Sequence, residues 1–262
     1  MEKLKEIVNK LADIEDKGSV GRSKRVRILQ KLNEKLLSEY YIKINDDFVI
    51  EPLLVEAYYF HEGKFEDGNT HQSEKQKSDL EDDRFGKLYF HDEIGRGGID
   101  ICLSNGEYYL SFLIKNALIK NRSTKEKQFC RQTELYSELD KLRNEDKNIE
   151  NEKVLVKKST SDGQIIFRTV RTGLEEGMEN ETDSSKRERK LAFMYERLAA
   201  VKFKDSKDGD FYGVTLEDGY KKEMIVAEYI QQYRKYSPEI DRGKMSKDLL
   251  GYELHKIWEE FD

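Results

Sequence analysis

Histidines and carboxylates are concentrated in one short part of the chain, between residues 50 and 116. Three of the four histidines lie there. The residues concerned are His61, His71, His91, Glu56, Asp67 and Asp100, with the glycine-rich run Gly95-Arg96-Gly97-Gly98 among them. Glycines in such a run let the backbone turn tightly or approach a ligand closely. Imidazoles and carboxylates gathered in this way predict a functional site.

Two kinds of metal chemistry compete for these residues. The three histidines, with Asp67 or Asp100 as a fourth ligand, are of the types that zinc and iron sites use. Their spacings match no compact metal motif, so we expect no metal. A nuclease of the kind that holds its ion with acids beside a lysine would need an acid two residues before Lys115, where Leu113 stands. The sequence therefore favours chemistry that needs no metal or other cofactor.

Short motifs around these residues follow one another in a recognisable order. In chain order they are Val55-Glu56-Ala57-Tyr58, Asp67 four residues before His71, Gly86-Lys87-Leu88-Tyr89, Gly95, and Leu113-Ile114-Lys115-Asn116-Ala117. This order and rough spacing resemble the alkyladenine (3-methyladenine) DNA glycosylase family over about residues 50–118. Arg171-Thr172-Gly173 is similar, more faintly, to an Arg-x-Gly turn of that family.

The resemblance implies a base-excision site centred on Glu56. Cleavage of a bond between a purine and its sugar leaves positive charge on the sugar, which a carboxylate stabilises while it activates a water molecule. The target base must leave the stack and lie between aromatic faces. By resemblance, Tyr58 covers one face of the base, His71 lies over it near the sugar, and His91 forms the opposite wall.

Three further positions take roles from the same resemblance. Lys115 stands where the family usually has an arginine near the catalytic water. Ile94 stands at about the position of the family's wedge residue, which fills the gap that the extruded base leaves in the duplex. Asp100 falls on or beside a pocket asparagine of the family, and a carboxylate there changes which base is selected. The loop from Tyr58 to His71 is longer than the family's.

The charge distribution both supports and opposes a nucleic-acid partner. The net charge is −6, the wrong sign for a simple nucleic-acid binder. Residues 112–133 nevertheless carry six basic side chains against one acid, and such a face can hold phosphates. Asp92 and Glu93 would repel them. The residues expected to contact the backbone of double-stranded DNA are Arg96, Lys120, Arg122, Lys125 and Lys127.

The periodicity of apolar residues predicts the elements that position the site. Residues 1–15 and 23–40 have the spacing of amphipathic helices. Short apolar runs predict strands on both sides of Pro52 and over 88–90, 99–103 and 108–114, with a hairpin turn at Asn105-Gly106. A long loop is expected over 61–84. Further on, the patterns predict a helix over 124–147, a hairpin around Asp162-Gly163, and helices over 188–204, 221–236 and 246–261.

Composition narrows the class of protein. Aromatic residues are plentiful, with 15 Tyr and 12 Phe, which argues against a disordered chain. The two cysteines, Cys102 and Cys130, make no disulfide framework. No apolar run approaches the ~20 residues that a membrane span needs. We therefore expect a cytoplasmic protein with no membrane association.

Together these features predict an α+β fold, in which a curved antiparallel sheet like that of alkyladenine DNA glycosylases is flanked by helices at both ends. We expect a helical segment at 1–40, the glycosylase-like domain at 41–204 and a helical extension at 205–262. The function implied is excision of a damaged or modified purine from DNA by water. The alternative is a non-catalytic module on the same fold that binds nucleic acid, a nucleotide or a protein, with the terminal helices as possible protein contacts.

Overall fold

The structure is a computed structural model, and its fold is of the α+β type. It describes residues 2–15, 18–77, 83–92, 97–159, 164–169, 171, 174, 181–194 and 196–204. These residues form four α-helices and a curled antiparallel sheet of ten strands, shaped as a half-barrel. Within these ranges, every helix is too short or too polar to cross a bilayer. The helical extension predicted over 205–262 lies outside the described residues.

Two helices at the start of the chain pack directly on the sheet. Helix α1 spans Glu2–Ala12 and α2 spans Ser19–Glu39, which confirms the two predicted helices. Their apolar residues recur every three or four positions and therefore form one face. Leu4, Val8 and Leu29 on these faces are buried in the same core as the sheet residues. Residues 2–39 thus share the hydrophobic core of the sheet.

The longest strands form the centre of the sheet. Strand β2, Phe48–His61, pairs antiparallel with β6, Tyr109–Asn121, along nearly its whole length. The two runs predicted on either side of Pro52 are therefore one strand. The register shifts next to Pro52 and again between Leu54 and Val55, and the second shift leaves Lys115 without a partner across the ladder. Such bulges bend a strand and increase its twist, which helps the sheet to curl.

Different strands flank the two ends of this central pair. The other strands are β1 Tyr40–Ile44, β3 Phe65–Glu66, β4 Leu88–His91, β5 Gly98–Cys102, β7 Lys127–Arg131, β8 Leu155–Lys157, β9 Gln164–Thr169 and β10 Ala199–Lys204. Strand β6 pairs with β5 near one end and with β7 near the other, whereas β2 pairs with β1, β3 and β10. The predicted turn at Asn105-Gly106 joins β5 to β6, as expected.

Three predicted elements differ from the structure. The strands on either side of Asp162-Gly163 do not pair with each other, because β8 pairs with β1 and β9 pairs with β10. The helix predicted over 188–204 ends early, since α4 spans Ser184–Met194 and residues 199–204 form a strand. The helix predicted over 124–147 begins only at Gln132, as α3, Gln132–Glu145, after strand β7.

The long loop between β3 and β4 is partly ordered by a short helix. A 3-10 turn, Glu74–Gln76, is capped by the Ser73 hydroxyl, which accepts a hydrogen bond from the Lys75 amide. Gln76 itself is buried against the sheet. A second 3-10 turn, Lys147–Glu150, follows α3. The first of these turns brings the loop over the face of the sheet that carries the candidate site.

Candidate functional site

One face of the sheet carries most of the polar side chains that the sequence singled out. Side chains alternate between the two faces along a strand, and residues opposite each other on neighbouring strands share a face. Glu56 stands opposite Leu113, which in turn stands opposite Asp100. Tyr58, two residues after Glu56, stands opposite Ser111. The register therefore places these side chains on one side of the sheet.

A pocket of about 350 Å³ opens on this face. It lies between the sheet, the loop that follows β3, the first residue of α3 and helix α4. Its lining residues are Tyr58, Gly68, Asn69, Thr70, His71, His91, Asp100, Ser111, Leu113, Gln132, Leu174, Lys186 and Lys190. The structure thus brings together four of the predicted residues, namely Tyr58, His71, His91 and Asp100.

The wall of the pocket is built from rings. The imidazoles of His71 and His91 are stacked, with ring centroids 5.1 Å apart and planes 29° apart. Tyr89 meets His91 edge-on at 4.8 Å, and its hydroxyl lies 3.4 Å from Nδ1 of His71. Tyr58 supplies a further ring from β2. Flat aromatic surfaces of this kind suit a flat ring as ligand.

The floor of the pocket is a hydrogen-bonded carboxylate. Oδ2 of Asp100 accepts hydrogen bonds from the Ser111 hydroxyl at 2.7 Å and from Nε2 of Gln76 at 2.8 Å. Its other oxygen lies 3.1 Å from Nε2 of His91. Because Gln76 belongs to the 3-10 turn, these bonds tie the loop to the sheet. No sequence motif indicated Gln76 or Ser111.

Glu56 lies behind the wall and does not line the pocket. Its side chain is 0% exposed, and the Tyr58 hydroxyl donates a hydrogen bond to Oε2 at 2.9 Å. Burial, together with the negative charge of Glu56, raises the pKa of Tyr58 well above its usual range, so the phenol stays protonated and keeps donating. The tyrosine therefore separates the predicted catalytic carboxylate from the pocket.

A fully buried ion pair holds this wall in place. Arg171 donates hydrogen bonds to both oxygens of Asp67, to the carbonyl oxygen of Ala57 at 3.2 Å and to that of Phe193 at 3.1 Å. Its guanidinium carbon lies 4.7 Å from the centre of the Tyr58 ring. Burial alone would lower the pKa of Arg171, but the charge and hydrogen bonds of Asp67, together with Tyr58 and Glu56, outweigh it and raise the pKa. Arg171 thus links β2, the loop and α4.

Helix α4 closes one side of the pocket with two lysines. Nζ of Lys190 lies 2.9 Å from Oε2 of Glu181, and Nζ of Lys186 lies 3.4 Å from the same oxygen. The hydrogen bond from Lys190 lowers the pKa of Glu181. The helix is fixed against the loop, since Nδ2 of Asn69 donates to the Lys190 carbonyl at 3.0 Å. No sequence motif indicated these lysines.

The residues predicted to hold the DNA backbone lie away from the pocket. Lys120, Arg122, Lys125 and Lys127 sit around the turn between β6 and β7. Lys120 is seven residues from Leu113 along β6, which corresponds to about 23 Å at 3.3 Å per residue. Lys115 is half-buried at the bulge and does not line the pocket. Ile94 and Arg96 lie outside the described residues.

A second polar cluster lies at the other end of the central strands. Glu51 accepts hydrogen bonds from Lys120 at 2.7 Å, Lys158 at 3.3 Å and Lys202 at 2.5 Å. Lys158 and Lys202 also donate to the carbonyl oxygen of Leu37 near the C-terminus of α2. These lysines thus provide hydrogen bonds to a carbonyl oxygen in the last turn of that helix. No sequence motif indicated them. Lys120 is therefore engaged in a structural contact.

The three histidines that the structure describes do not converge on a metal position. His61 lies apart from the pocket, where Nδ1 is 3.0 Å from the Tyr59 hydroxyl. Asp67 is taken up by Arg171. Within the part of the chain that the structure describes, no three side chains of His, Cys, Asp or Glu are arranged to hold an ion. The groups that line the pocket are instead suited to hydrogen bonding and stacking.

Neither the protein-family models nor the curated proteins contain a match to this chain.

Proposed function

We propose that the pocket binds a single purine base turned out of double-stranded DNA, and that the protein excises damaged or modified purines as a DNA glycosylase-like hydrolase. The observation that carries the proposal is the meeting of Tyr58, His71, His91 and Asp100 in one pocket. These residues come from three different strands and a loop. They therefore meet because of the fold and not because they are neighbours in the sequence. The proposal includes a glycosylase-like fold.

The dimensions and chemistry of the pocket suit such a ligand. A volume of about 350 Å³ is at the small end of ligand sites, which is appropriate for one base with part of its sugar. Rings on the wall offer stacking surfaces, and the Asp100 carboxylate offers acceptors to N–H groups on the edge of a base. No cofactor is needed for hydrolysis of the glycosidic bond.

Excision requires water to attack the sugar carbon while the bond to the base breaks and its electron pair leaves with the base. In our proposal Glu56 accepts the proton from this water and stabilises the positive sugar. Because the Tyr58 hydroxyl donates to Oε2 of the buried Glu56, and a phenol oxygen is fixed on its ring, the Tyr58 side chain must shift before water can reach the carboxylate. The movement of Tyr58 is thus part of the proposed reaction.

Release of free base from alkylated duplex DNA tests the activity. We expect the wild-type protein to release purine without cleaving the strand, and Glu56→Gln to abolish release while the overall fold is retained. Glu62→Gln, on an exposed turn of the same hairpin, is the matched control and should release base at the wild-type rate. Equal release by wild type and Glu56→Gln would exclude the role given to this carboxylate.

A second candidate function is recognition of a base without excision. The observation that favours it is the complete burial of Glu56 behind Tyr58. Binding and catalysis are separated by measuring both on the same duplex. A protein that binds DNA carrying an extruded purine, but releases no base in any variant, is a binding module and not a hydrolase.

A further inference from the structure

The pocket combines a site for a flat ring with two ammonium groups on one helix. Lys186 and Lys190 are four residues apart on α4, so they lie one turn apart on the same face of the helix. Both line the pocket together with Tyr58 and the two histidines. A ligand whose ring stacks on the wall therefore has its next chemical group within reach of these lysines.

The two lysines lie beside the same carboxylate, and Lys190 is the more firmly held of the two. Lys190 has 15% of its side chain exposed, and Lys186 has 52% exposed. They share one carboxylate, that of Glu181, so the three groups together carry a net charge of +1. The Lys190 ammonium is already oriented by its hydrogen bond to Glu181, so it loses less entropy when it binds an anion.

The helix itself cannot move easily relative to the ring wall. A methyl group built on Gly68 would lie 2.9 Å from the Lys190 backbone nitrogen, which shows how closely the loop and helix approach. Phe193 packs on Phe65 of β3 with ring centroids 4.5 Å apart. Two residues after the end of the helix, Glu196 pairs with Arg22 of α2 at 2.9 Å. Packing therefore fixes the position of α4, which carries the two lysines, relative to the loop and to β3.

We propose that Lys186 and Lys190 form a phosphate subsite, so that the pocket takes a purine nucleotide rather than a free base or nucleoside. This inference rests on the proposed binding of a purine in the pocket. A phosphate carries the compact negative charge and the acceptor oxygens that suit two ammonium groups. The phosphate belongs either to a free nucleotide or to the DNA strand on one side of the extruded purine, and both offer the same group.

Fluorescence of 2-aminopurine tests the subsite, since its emission is quenched when the ring stacks. The full-length protein is titrated with 2-aminopurine deoxyriboside, with its 5′-monophosphate, and with a duplex that carries one 2-aminopurine. We expect the monophosphate to bind about tenfold more tightly than the nucleoside, because hydrogen bonds between charged groups are worth a factor of this order.

Two variants on one helix provide the comparison. Lys186→Ala should remove most of the gain given by the phosphate and leave nucleoside affinity unchanged. Arg187→Ala removes the same charge from an exposed neighbour that does not line the pocket, and should leave both affinities unchanged. If Lys186 contacts a strand phosphate, Lys186→Ala should reduce the slope of log K for duplex binding against log salt concentration by about 0.9.

Each outcome has a distinct meaning. Nucleoside and monophosphate binding with equal affinity, or equal losses in the two variants, would overturn the phosphate subsite while purine binding stands. A phosphate gain without duplex binding keeps the subsite, assigns it to a free nucleotide, and contradicts the DNA substrate. Failure of all three ligands to bind would overturn both the subsite and the proposed function.

Discussion

The ion pair between Asp67 and Arg171 gives the sharpest prediction about stability, because both side chains are completely buried. Arg171→Met removes all four hydrogen bonds that the guanidinium donates. It also leaves the Asp67 carboxylate buried without its cation, and it removes a positive charge with which the buried Glu56 carboxylate also interacts. Removal of one partner from a buried pair costs about 3–5 kcal/mol, and we expect Arg171→Met to lie at the upper end of that range.

Asp67→Asn should cost less. The asparagine oxygen can still accept one hydrogen bond from Arg171, and the guanidinium keeps its bonds to the carbonyl oxygens of Ala57 and Phe193. The negative charge of Glu56 remains nearby and compensates part of the positive charge. Loss of one hydrogen bond between charged groups corresponds to about 1.5–3 kcal/mol.

Urea unfolding followed by circular dichroism measures these differences. The free energies of unfolding of wild type, both single variants and the double variant form a thermodynamic cycle. We expect the double variant to cost less than the sum of the single variants by about 0.5–3 kcal/mol, because the two residues contact each other. Additive costs, or a larger cost for Asp67→Asn than for Arg171→Met, would refute the charge arrangement described for this wall.

Two further predictions concern residues that hold elements together. Glu51→Gln is expected to lower the free energy of unfolding by about 3–5 kcal/mol, because the buried Lys202 loses the carboxylate that it pairs with. Urea unfolding measures this change, and Glu107→Gln, on an exposed turn, is the control. Gly68→Ala should lower stability by about 1–3 kcal/mol, since its methyl group would press on the backbone of Lys190. A thermal melt checks this, and an unchanged melting temperature would contradict the close approach of loop and helix.

The sheet around the pocket follows from local patterns in the sequence. Alternation along β2 puts Glu56 and Tyr58 on one face, and the Asn105-Gly106 turn brings β5 beside β6. Those signals depend on neighbours within a few residues, so they can be read without a structure. The grouping of Tyr58 with His71 and His91 came from motif order, and these three residues do line one pocket.

Contacts between distant residues were not predictable in this way. Arg171 is 104 positions from Asp67, and no period or turn signal connects them. Residues 199–204 contain Ala199 and Ala200, which favour helices intrinsically, but pairing with β2 and β9 makes them a strand. The phosphate contacts were predicted from the number of charges along the chain. In the folded protein, however, Lys120 forms an ion pair with Glu51.

The long sequence separation of the buried ion pairs has a consequence for synthesis on the ribosome. Asp67 cannot form its ion pair until Arg171, 104 residues later, has been synthesised. Glu51 likewise cannot form its pair until Lys202, 151 residues later, has been added. Because translation proceeds at about 5–20 residues per second, several seconds pass in which the emerging first half has carboxylates that its core cannot enclose. A nascent chain stalled before Arg171 should therefore remain open to proteases and chaperones, and acquire resistance only after β10 has left the exit tunnel.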